Sequence, residues 1–368
     1  MPSDSISESL EKEINVMDKM LRVAVIGVSL EGIGNSHSRS VIANKNTELA
    51  YICEVNEEWA KDRSALYGAP YCTDYHDLLD KDDINIAIVC VPDHLHAQVV
   101  SDFLHAGKHV LCEKPLALTS EDCQRMLDAD RETEAKLMIG QVCRKTPVFV
   151  KAKQIVDEGV IGDLVYIESE YSHNYSTMPI HWRNSYEYPR HGFTGGACHS
   201  VDLLRWFAGN PTEVFAYGNH KLLGPEYGPC DDTMCAMMRF PNDVVGRVFV
   251  SIGCMSPGTG IRTLLYGTKG TIIMAANNPH LTLYLGQLDF EKRETVLGNG
   301  HLYNNGIQIP VALGSHNTAA ELEEFVDIIL NDKPVTVTCR EGADTVAVCV
   351  AAIESSQTGK PVQIEYCK

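Results

Sequence analysis

The feature that most constrains the fold is an alternation of short apolar runs with amphipathic segments over residues 21–143. The runs read LRVAVIG, LAYIC, INIAIVCV and HVLC, and helix-like spacing of apolar residues follows each of them. Continuous apolar strands that alternate with helices are typical of a parallel sheet covered on both faces. We therefore predict an α/β domain with a doubly wound parallel sheet over residues 21–143.

The pattern changes after residue 143. Residues 164–171 alternate between apolar and polar side chains, and residues 212–286 hold several runs of this kind between glycine, proline and asparagine turns. Alternation of this kind is typical of antiparallel strands with one solvated face. Helical patterns return near the end of the chain. We predict a second, C-terminal α/β domain over residues 144–368, with a mostly antiparallel open sheet.

Composition limits the possible partners of the 368-residue chain. The net charge of −18 argues against nucleic acid and anionic membranes. No apolar run reaches the roughly 18 residues of a membrane-spanning helix. Residues 1–20 carry acids without an apolar core, so they are predicted to be an N-terminal extension and not a secretory signal. The thirteen cysteines include no C-x-x-C pair, which favours reduced thiols and a cytoplasmic location.

A glycine-rich turn, Gly27-Val28-Ser29-Leu30-Glu31-Gly32-Ile33-Gly34, ends the first apolar run. Glycines at such a turn let the backbone approach a pyrophosphate and let the next helix pack closely on the strand. The spacing is G-x4-G-x-G, two residues longer than the usual G-x-G-x-x-G. By itself this turn is also compatible with a plain strand–turn–helix unit.

Glu54 strengthens the cofactor interpretation. It ends the second apolar run, about 20 residues past the turn, where an acid accepts hydrogen bonds from the adenosine ribose. No arginine follows it directly to hold a 2′-phosphate, so NAD is favoured over NADP. We predict a Rossmann domain whose cofactor contacts include Gly27, Ser29, Leu30, Gly32, Ile33, Gly34 and Glu54.

Two further segments follow apolar runs at the predicted carboxyl edge of the sheet, where open α/β sheets bind ligands. Pro92-Asp93-His94-Leu95-His96 follows INIAIVCV, and Glu113-Lys114-Pro115 follows HVLC. Each segment is also compatible with ordinary solvated surface. At the edge of the sheet, however, Lys114 is well placed for chemistry.

The order of these elements resembles the glucose–fructose oxidoreductase / inositol dehydrogenase / MocA family of NAD(P)-dependent dehydrogenases, from about residue 21 to residue 365. The resemblance implies cofactor contacts by Pro92, His96, Glu113, Lys114 and Arg144. It further implies that Lys114 orients the reacting hydroxyl and that His199 accepts its proton. The landmarks are the glycine turn with His37, Glu54, Pro92 with His96, Ala106–Val110 running into Glu113-Lys114-Pro115, Gly140 with Arg144 and Pro147, Gly159–Gly162, His199–Trp206, and Glu354-Ser355 with Thr358–Val362.

One position departs from the family pattern. Many members carry an aspartate four residues before the histidine, where this chain has Gly195. Asp202 remains, three residues after His199 and on the same face of a predicted helix. Either His199 works without the usual Asp/His pair or another residue replaces the aspartate.

Aromatic and basic residues precede the His199 helix, and a polyol site would use such side chains for stacking and hydrogen bonding. We predict substrate contacts by Lys114, Tyr171, His181, Arg183, His199 and Asp202. A surface loop with interface packing is a nearly equal interpretation. The histidines at 173, 181, 191 and 199 include no i, i+4 pair, so no metal site is predicted.

The sequence thus predicts an NAD-dependent oxidoreductase that transfers a hydride between nicotinamide and a carbinol carbon of a sugar, cyclitol or sugar derivative. A homodimer or homotetramer is expected. Two alternatives stay open: a glycosidase that acts through a transient redox step with NAD, and a cofactor-binding regulator without turnover.

Overall fold

The computed structural model describes residues 20–178, 182–255, 260–286, 306–314 and 317–368. Contacts within these ranges divide the chain into two compact units. The helices are α1 (Gly34–Ala43), α2 (Glu57–Tyr67), α3 (His96–His105), α4 (Ser120–Glu132), α5 (Pro147–Asp157), α6 (Gly192–Gly195), α7 (Cys198–Ala208), α8 (Thr318–Leu330) and α9 (Cys339–Thr358). Among the described residues, no helix is both long enough and apolar enough to cross a membrane.

The first unit is built on a parallel sheet with strand order β3-β2-β1-β4-β5-β6. This is the order of a Rossmann sheet, and it reverses between β1 and β4. The predicted doubly wound parallel sheet is therefore confirmed. The strands are β1 (Leu21–Ile26), β2 (Thr47–Cys53), β3 (Tyr71–Cys72), β4 (Ile86–Val89), β5 (His109–Glu113) and β6 (Leu137–Gly140).

Local sequence explains the strands and helices of this unit. The last four residues of β1 and all four of β4 are buried, as continuous apolar strands between two helical layers must be. Helix α2 begins after Asn56, whose side chain accepts a hydrogen bond from the backbone N–H of Trp59. It ends at Gly68, whose left-handed φ of 70° suits glycine.

Residues 318–342 also belong to the first unit, although the sequence pattern places them in the range 144–368 of the second predicted domain. Helix α8 packs on α1 and β6, and the hydroxyls of Ser40 and Thr318 lie 2.9 Å apart. The first unit is thus assembled from segments far apart in the sequence. The predicted domain bounds, 21–143 and 144–368, stay a prediction.

The second unit comprises residues 118–120, 141–317 and 343–368, within the described ranges. Its sheet has the order β14-β13-β12-β11-β7-β10-β9-β8-β15. All neighbours are antiparallel except β7 and β10, which confirms the predicted mostly antiparallel sheet. The strands are β7 (Leu164–Ser172), β8 (Glu213–Asn219), β9 (Thr233–Arg239), β10 (Val245–Ser251), β11 (Ile261–Gly267), β12 (Gly270–Ala275), β13 (His280–Leu285), β14 (Ile307–Pro310) and β15 (Val362–Gln363).

Helix α7 packs on β7 and β10, at the centre of this sheet. Along β7, Ile167, Ser169 and Tyr171 are buried, and the intervening residues are half-buried. The hydroxyl of Ser169 donates to that of Ser200 in α7, 2.9 Å away. The alternation therefore directs one set of β7 side chains toward the helix that carries His199.

Candidate active site

The glycine turn of the first unit has two positions at which the backbone leaves no room for a side chain. Gly27 has φ 92°, and a Cβ there would lie 2.6 Å from the carbonyl oxygen of Cys90. A Cβ on Gly34 would lie 2.2 Å from the carbonyl oxygen of Gly27. Helix α1 begins at Gly34, so backbone amides at its N-terminus are directed toward the turn. These positions fit a cradle for a pyrophosphate.

The two-residue insertion in this turn is held by Asn35, which the sequence reasoning missed. Its Nδ2 donates to the carbonyl oxygens of Ser29 at 2.6 Å and of Leu30 and Gly32 at 3.2 Å. Its Oδ1 accepts a hydrogen bond of 2.9 Å from the Tyr67 hydroxyl. An asparagine near a helix start is a signal for such local bonds to the backbone.

Glu54 directly follows β2, and only 5 % of it is exposed. The backbone N–H of Asn56 donates to Oε1 at 3.0 Å, and the N–H of Val28 also donates to this carboxylate. Burial raises the pKa of Glu54, whereas these two bonds favour the charged form. The carboxylate is therefore fixed beside the glycine turn, as a ribose-binding acid requires.

Lys114 follows β5 and is half-buried. Its backbone N–H lies 3.3 Å from Oε2 of Glu113, and the Lys114–Pro115 peptide bond is cis. Oε1 of Glu113 lies 2.8 Å from Nε2 of the buried His37 in α1. The segment that carries Lys114 is thus tied to the helix that follows the glycine turn.

Potential ligand atoms of His37, Glu113 and Glu321 all lie within 4.8 Å of one another. Burial alone would raise the pKa of Glu113, but the hydrogen bond and charge of His37, together with Lys114, hold it below the usual value. The hydrogen bond between His37 and Glu113 is part of this cluster. The absence of a metal site stays a prediction.

His96 is buried, and both of its ring nitrogens lie near backbone carbonyls. Nδ1 is 2.8 Å from the oxygen of Pro115, and Nε2 is 3.0 Å from that of Val91. These contacts support a positioning role for His96 next to Lys114. Direct contact of His96 with a cofactor stays a prediction. Pro92 is half-buried and directly precedes the turn Asp93–Leu95, and its contact with a cofactor also stays a prediction.

His199 lies in the first turn of α7 in the second unit, and only 1 % of it is exposed. Its ring stacks on that of Tyr171 with 6.3 Å between the ring centres and an angle of 27°. The Tyr171 hydroxyl lies 3.0 Å from that of Tyr175. The predicted residues Tyr171 and His199 are therefore neighbours.

Asp202 is fully buried and forms a two-bond ion pair with Arg144. Nε and Nη2 of Arg144 donate to the two carboxylate oxygens, each at 2.8 Å. The Thr345 hydroxyl lies 3.3 Å from Oδ1, and Nη1 of Arg205 lies 3.9 Å from the same oxygen. These bonds support a structural role for both predicted residues. Cofactor contact by Arg144 and substrate contact by Asp202 stay predictions.

Arg183 lines a small cavity of the second unit together with Arg190, Tyr175 and His220. The guanidinium carbons of Arg183 and Arg190 lie 4.6 and 5.5 Å from the centre of the Trp182 ring. Arg190 is a second residue that the sequence reasoning missed, since nothing in the local pattern separates it from a surface arginine. The predicted residue His181 lies outside the described residues.

Comparisons with known proteins show which proteins the chain is similar to. Levoglucosan dehydrogenase from Pseudarthrobacter phenanthrenivorans is 27% identical over 337 residues, which are 83% of this chain and 86% of that protein. Inositol 2-dehydrogenase from Salmonella typhimurium is 31% identical over 192 residues, 50% of this chain and 54% of that protein. A solved levoglucosan dehydrogenase complex with NADH gives a TM-score of 0.82 at 26% identity, covering 94% of this chain and 99% of that one.

Two family models cover most of the sequence. Residues 21–141 match the NAD-binding Rossmann fold of an oxidoreductase family, and residues 153–364 match the C-terminal α/β domain of the same family. The predicted resemblance, fold class and NAD-binding domain are thereby confirmed. The chain belongs to the Gfo/Idh/MocA family of oxidoreductases.

Proposed function

We propose that the protein is an NAD-dependent dehydrogenase that oxidises a secondary hydroxyl of a sugar, cyclitol or sugar derivative, or reduces the matching carbonyl. The observation that carries this proposal is the placement of Lys114 at the carboxyl end of β5, in a sheet whose glycine turn and Glu54 fit NAD. Relatives named levoglucosan dehydrogenase and inositol 2-dehydrogenase support the substrate class.

The residues of the first unit have separate tasks in this proposal. The backbone of the turn from Gly27 to Gly34 holds the pyrophosphate, and Glu54 accepts hydrogen bonds from the adenosine ribose. Bound NAD supplies the hydride acceptor. Lys114 donates a hydrogen bond to the reacting hydroxyl and stabilises negative charge on its oxygen as the proton leaves. Glu113 and His37 hold the backbone of Lys114 in place.

His199 in the second unit is the proposed proton acceptor. A neutral imidazole is a suitable base for an alcohol near neutral pH. The stacked Tyr171 ring restricts the orientation of the imidazole. The buried pair of Arg144 and Asp202 fixes α7, on which His199 is carried.

The test is NADH formation at 340 nm, with NAD⁺ and a panel of neutral sugars, cyclitols and sugar acids, and with the reverse reaction run on the matching ketones. We expect turnover on at least one member and no turnover with NAD⁺ alone. Cleavage of a chromogenic glycoside without net NADH would instead support the glycosidase alternative. Tight NAD binding with no reaction in either assay would favour a regulator.

We further propose that the protein forms a homodimer or homotetramer through the open face of the second sheet. Tyr217, Met237, Val245 and Tyr266 on its strands are each more than 40% exposed. Exposed apolar side chains on one sheet face are typical of a protein interface. Light scattering during gel filtration should give twice or four times the chain mass, and Met237→Asp should shift the mass toward the monomer.

A further inference from the structure

Arg190 occupies the space that a side chain at position 195 would fill. A Cβ on Gly195 would lie 2.1 Å from Nη1 of Arg190 and 2.2 Å from its guanidinium carbon. Nη2 of Arg190 donates to the carbonyl oxygen of Gly195 at 2.9 Å. The family resemblance implies an aspartate at position 195, four residues before His199. This chain has a glycine there, and the Arg190 guanidinium fills the space beside it.

A continuous set of contacts links this guanidinium to His199. A Cβ on Gly196 would lie 2.5 Å from the Tyr171 ring, so the ring rests directly on the segment that Arg190 binds. The same ring stacks on His199. Burial raises the pKa of the Tyr171 hydroxyl, and the positive charge of Arg190 opposes this shift. Arg190, the Gly195–Gly196 segment, Tyr171 and His199 thus form one connected set of contacts.

Arg190 also lines a cavity together with a second arginine. Arg183 lines the same cavity, and both guanidinium groups lie against the Trp182 ring. Among the described residues of the lining, Asp232 is the acid. Its Oδ2 accepts backbone hydrogen bonds from Leu222 at 2.6 Å and Leu223 at 3.0 Å. Asp232 is buried, with 1 % of its surface exposed, and its carboxylate is hydrogen-bonded to the backbone.

The cavity adjoins the aromatic residues around His199. Tyr175 lines it, and the Tyr175 hydroxyl lies 3.0 Å from that of Tyr171. A negative group held in the cavity would therefore lie near the arginines and Tyr175, while the rest of the ligand would extend out of the cavity. Guanidinium groups bind carboxylates and phosphates through paired, charged hydrogen bonds.

We propose that the substrate is an anionic sugar, bearing a carboxylate or a phosphate, and that Arg190 with Arg183 binds its negative group. This inference rests on the proposed dehydrogenase function and narrows its substrate class. The negative group serves only for binding. The oxidised bond remains a carbinol C–H, whose hydride goes to NAD⁺ while the hydroxyl proton goes to His199.

The experiment uses matched pairs of sugars: D-glucose with D-glucuronate, D-galactose with D-galacturonate, and D-glucose with D-glucose 6-phosphate. NADH formation is measured with the full-length protein, with Arg190→Gln and with Arg183→Gln. Arg239→Gln is the control, since Arg239 is an exposed arginine of the same unit outside the cavity lining. Thermal melting and NADH titration show whether each variant folds and keeps its cofactor site.

We expect kcat/KM for an anionic member to exceed that of its neutral partner by at least about 10-fold. Loss of a hydrogen bond to a charged group corresponds to a change of roughly 10–100-fold. Arg190→Gln should lower the anionic-to-neutral ratio by this factor, mainly through KM, and Arg239→Gln should leave the ratio unchanged. Preference for the uronates or for the phosphate identifies which negative group is bound.

The inference and the proposed function fail in different ways. Oxidation of neutral sugars at rates equal to the anionic ones, with a ratio that neither cavity variant changes, overturns the inference and leaves the dehydrogenase intact. If no sugar is oxidised, calorimetric titration of glucuronate, glucose 6-phosphate and glucose into the NADH-bound protein decides. Binding of an anionic sugar that weakens in Arg190→Gln then supports the inference even though no oxidation is seen. Equal binding of the three sugars, or no binding of any of them, overturns it.

Discussion

At the residue scale, the candidate site depends on a few side chains whose charge or shape the backbone fixes. Glu54 is held by two backbone amides, and Lys114 follows a strand whose last residue is bonded to His37. His199 is enclosed against an aromatic ring. Each of these residues is placed by bonds made within its own unit, so each can be tested by a single substitution.

Glu54 should set the preference for NAD. Its carboxylate can accept bonds from the ribose diol and repels a 2′-phosphate. We expect fluorescence titration to show tighter binding of NADH than of NADPH. Glu54→Ser should weaken NADH binding by about 10-fold, because bonds to a charged group are lost. It should also narrow the difference in affinity between NADH and NADPH. Glu58→Ser, at an exposed position of the same unit, is the control. Equal affinity of the unmodified protein for both cofactors would contradict this prediction.

Lys114 should act on the reacting oxygen. Lys114→Met should keep NADH affinity and lower kcat by about 10²–10⁴-fold, the usual range for a positioned proton-donating or proton-accepting group. Lys45→Met, at an exposed lysine of the same unit, should leave kcat unchanged. If the lysine merely covers the edge of the sheet, Lys114→Met will also retain near-normal kcat on the true substrate.

His199 should set the acidic limb of the pH–rate profile, because a protonated imidazole cannot accept the substrate proton. His199→Asn should remove that limb and most of the rate while NADH binding is retained. His280→Asn, in β13 of the same unit, is the control. If His199 only orders the start of α7, the variant will lose thermal stability, and its folded fraction will keep the original profile.

At the element scale, the structure joins strands and helices through buried polar groups. His37 of α1 bonds Glu113 at the end of β5, and Glu321 of α8 lies beside both. In the second unit, Asp202 of α7 bonds Arg144 of the turn that precedes α5. Such bonds fix elements only while their charges are matched, because an unpaired buried charge is costly. A substitution that removes one partner of either bond is therefore expected to lower the stability of the protein.

The bond between His37 and Glu113 should make the first unit sensitive to acid. The folded pKa of Glu113 lies below its ordinary value of 4.5, so its stabilising contribution is present above about pH 4.5 and is lost as pH falls through the folded pKa. Melting temperatures should show Glu113→Gln less stable than the unmodified protein at pH 7, with a smaller difference below pH 4.5. For the control Glu58→Gln, the difference in melting temperature from the unmodified protein should not depend on pH. If the difference for Glu113→Gln is also the same at pH 7 and below pH 4.5, the bond between His37 and Glu113 is not the source of acid sensitivity.

The pair of Asp202 and Arg144 should contribute to stability more than to substrate binding. Asp202→Asn leaves buried guanidinium groups without their carboxylate and should lower the free energy of unfolding by about 3–5 kcal/mol. Urea unfolding measures this, with the exposed Asp163→Asn as the control. A variant of normal stability with a raised KM would show instead that Asp202 contacts substrate, as the sequence pattern suggested.

At the scale of the whole molecule, the residues of the proposed mechanism belong to two compact units. The first has the Rossmann strand order and the residues that fit NAD. The second presents an open sheet and carries His199 with the arginine-lined cavity. The net charge of −18 makes the arginine cluster locally distinctive, since acids exceed bases in the chain by 49 to 31. If the substrate is anionic, as proposed, guanidinium groups in an acidic protein can attract it at short range, where charges are less screened.

Much of the fold follows from the sequence because its signals are local. Continuous apolar runs predict buried parallel strands, and the alternation along β7 predicts a half-exposed sheet. The glycine turn can be predicted from the sequence because only glycine allows the close approach of backbone to backbone found at Gly27 and Gly34. Lys114 is predicted as a site residue because the strand ends of an open α/β sheet bind ligands, and this role stays a prediction.

The remaining features were decided by tertiary structure. The pairing of Arg144 with Asp202 joins residues 58 positions apart, and α8 packs on α1 across more than 270 positions. Sequence patterns report which face of an element is apolar. Partners of buried charges depend on which elements pack together, and that is set by the whole fold.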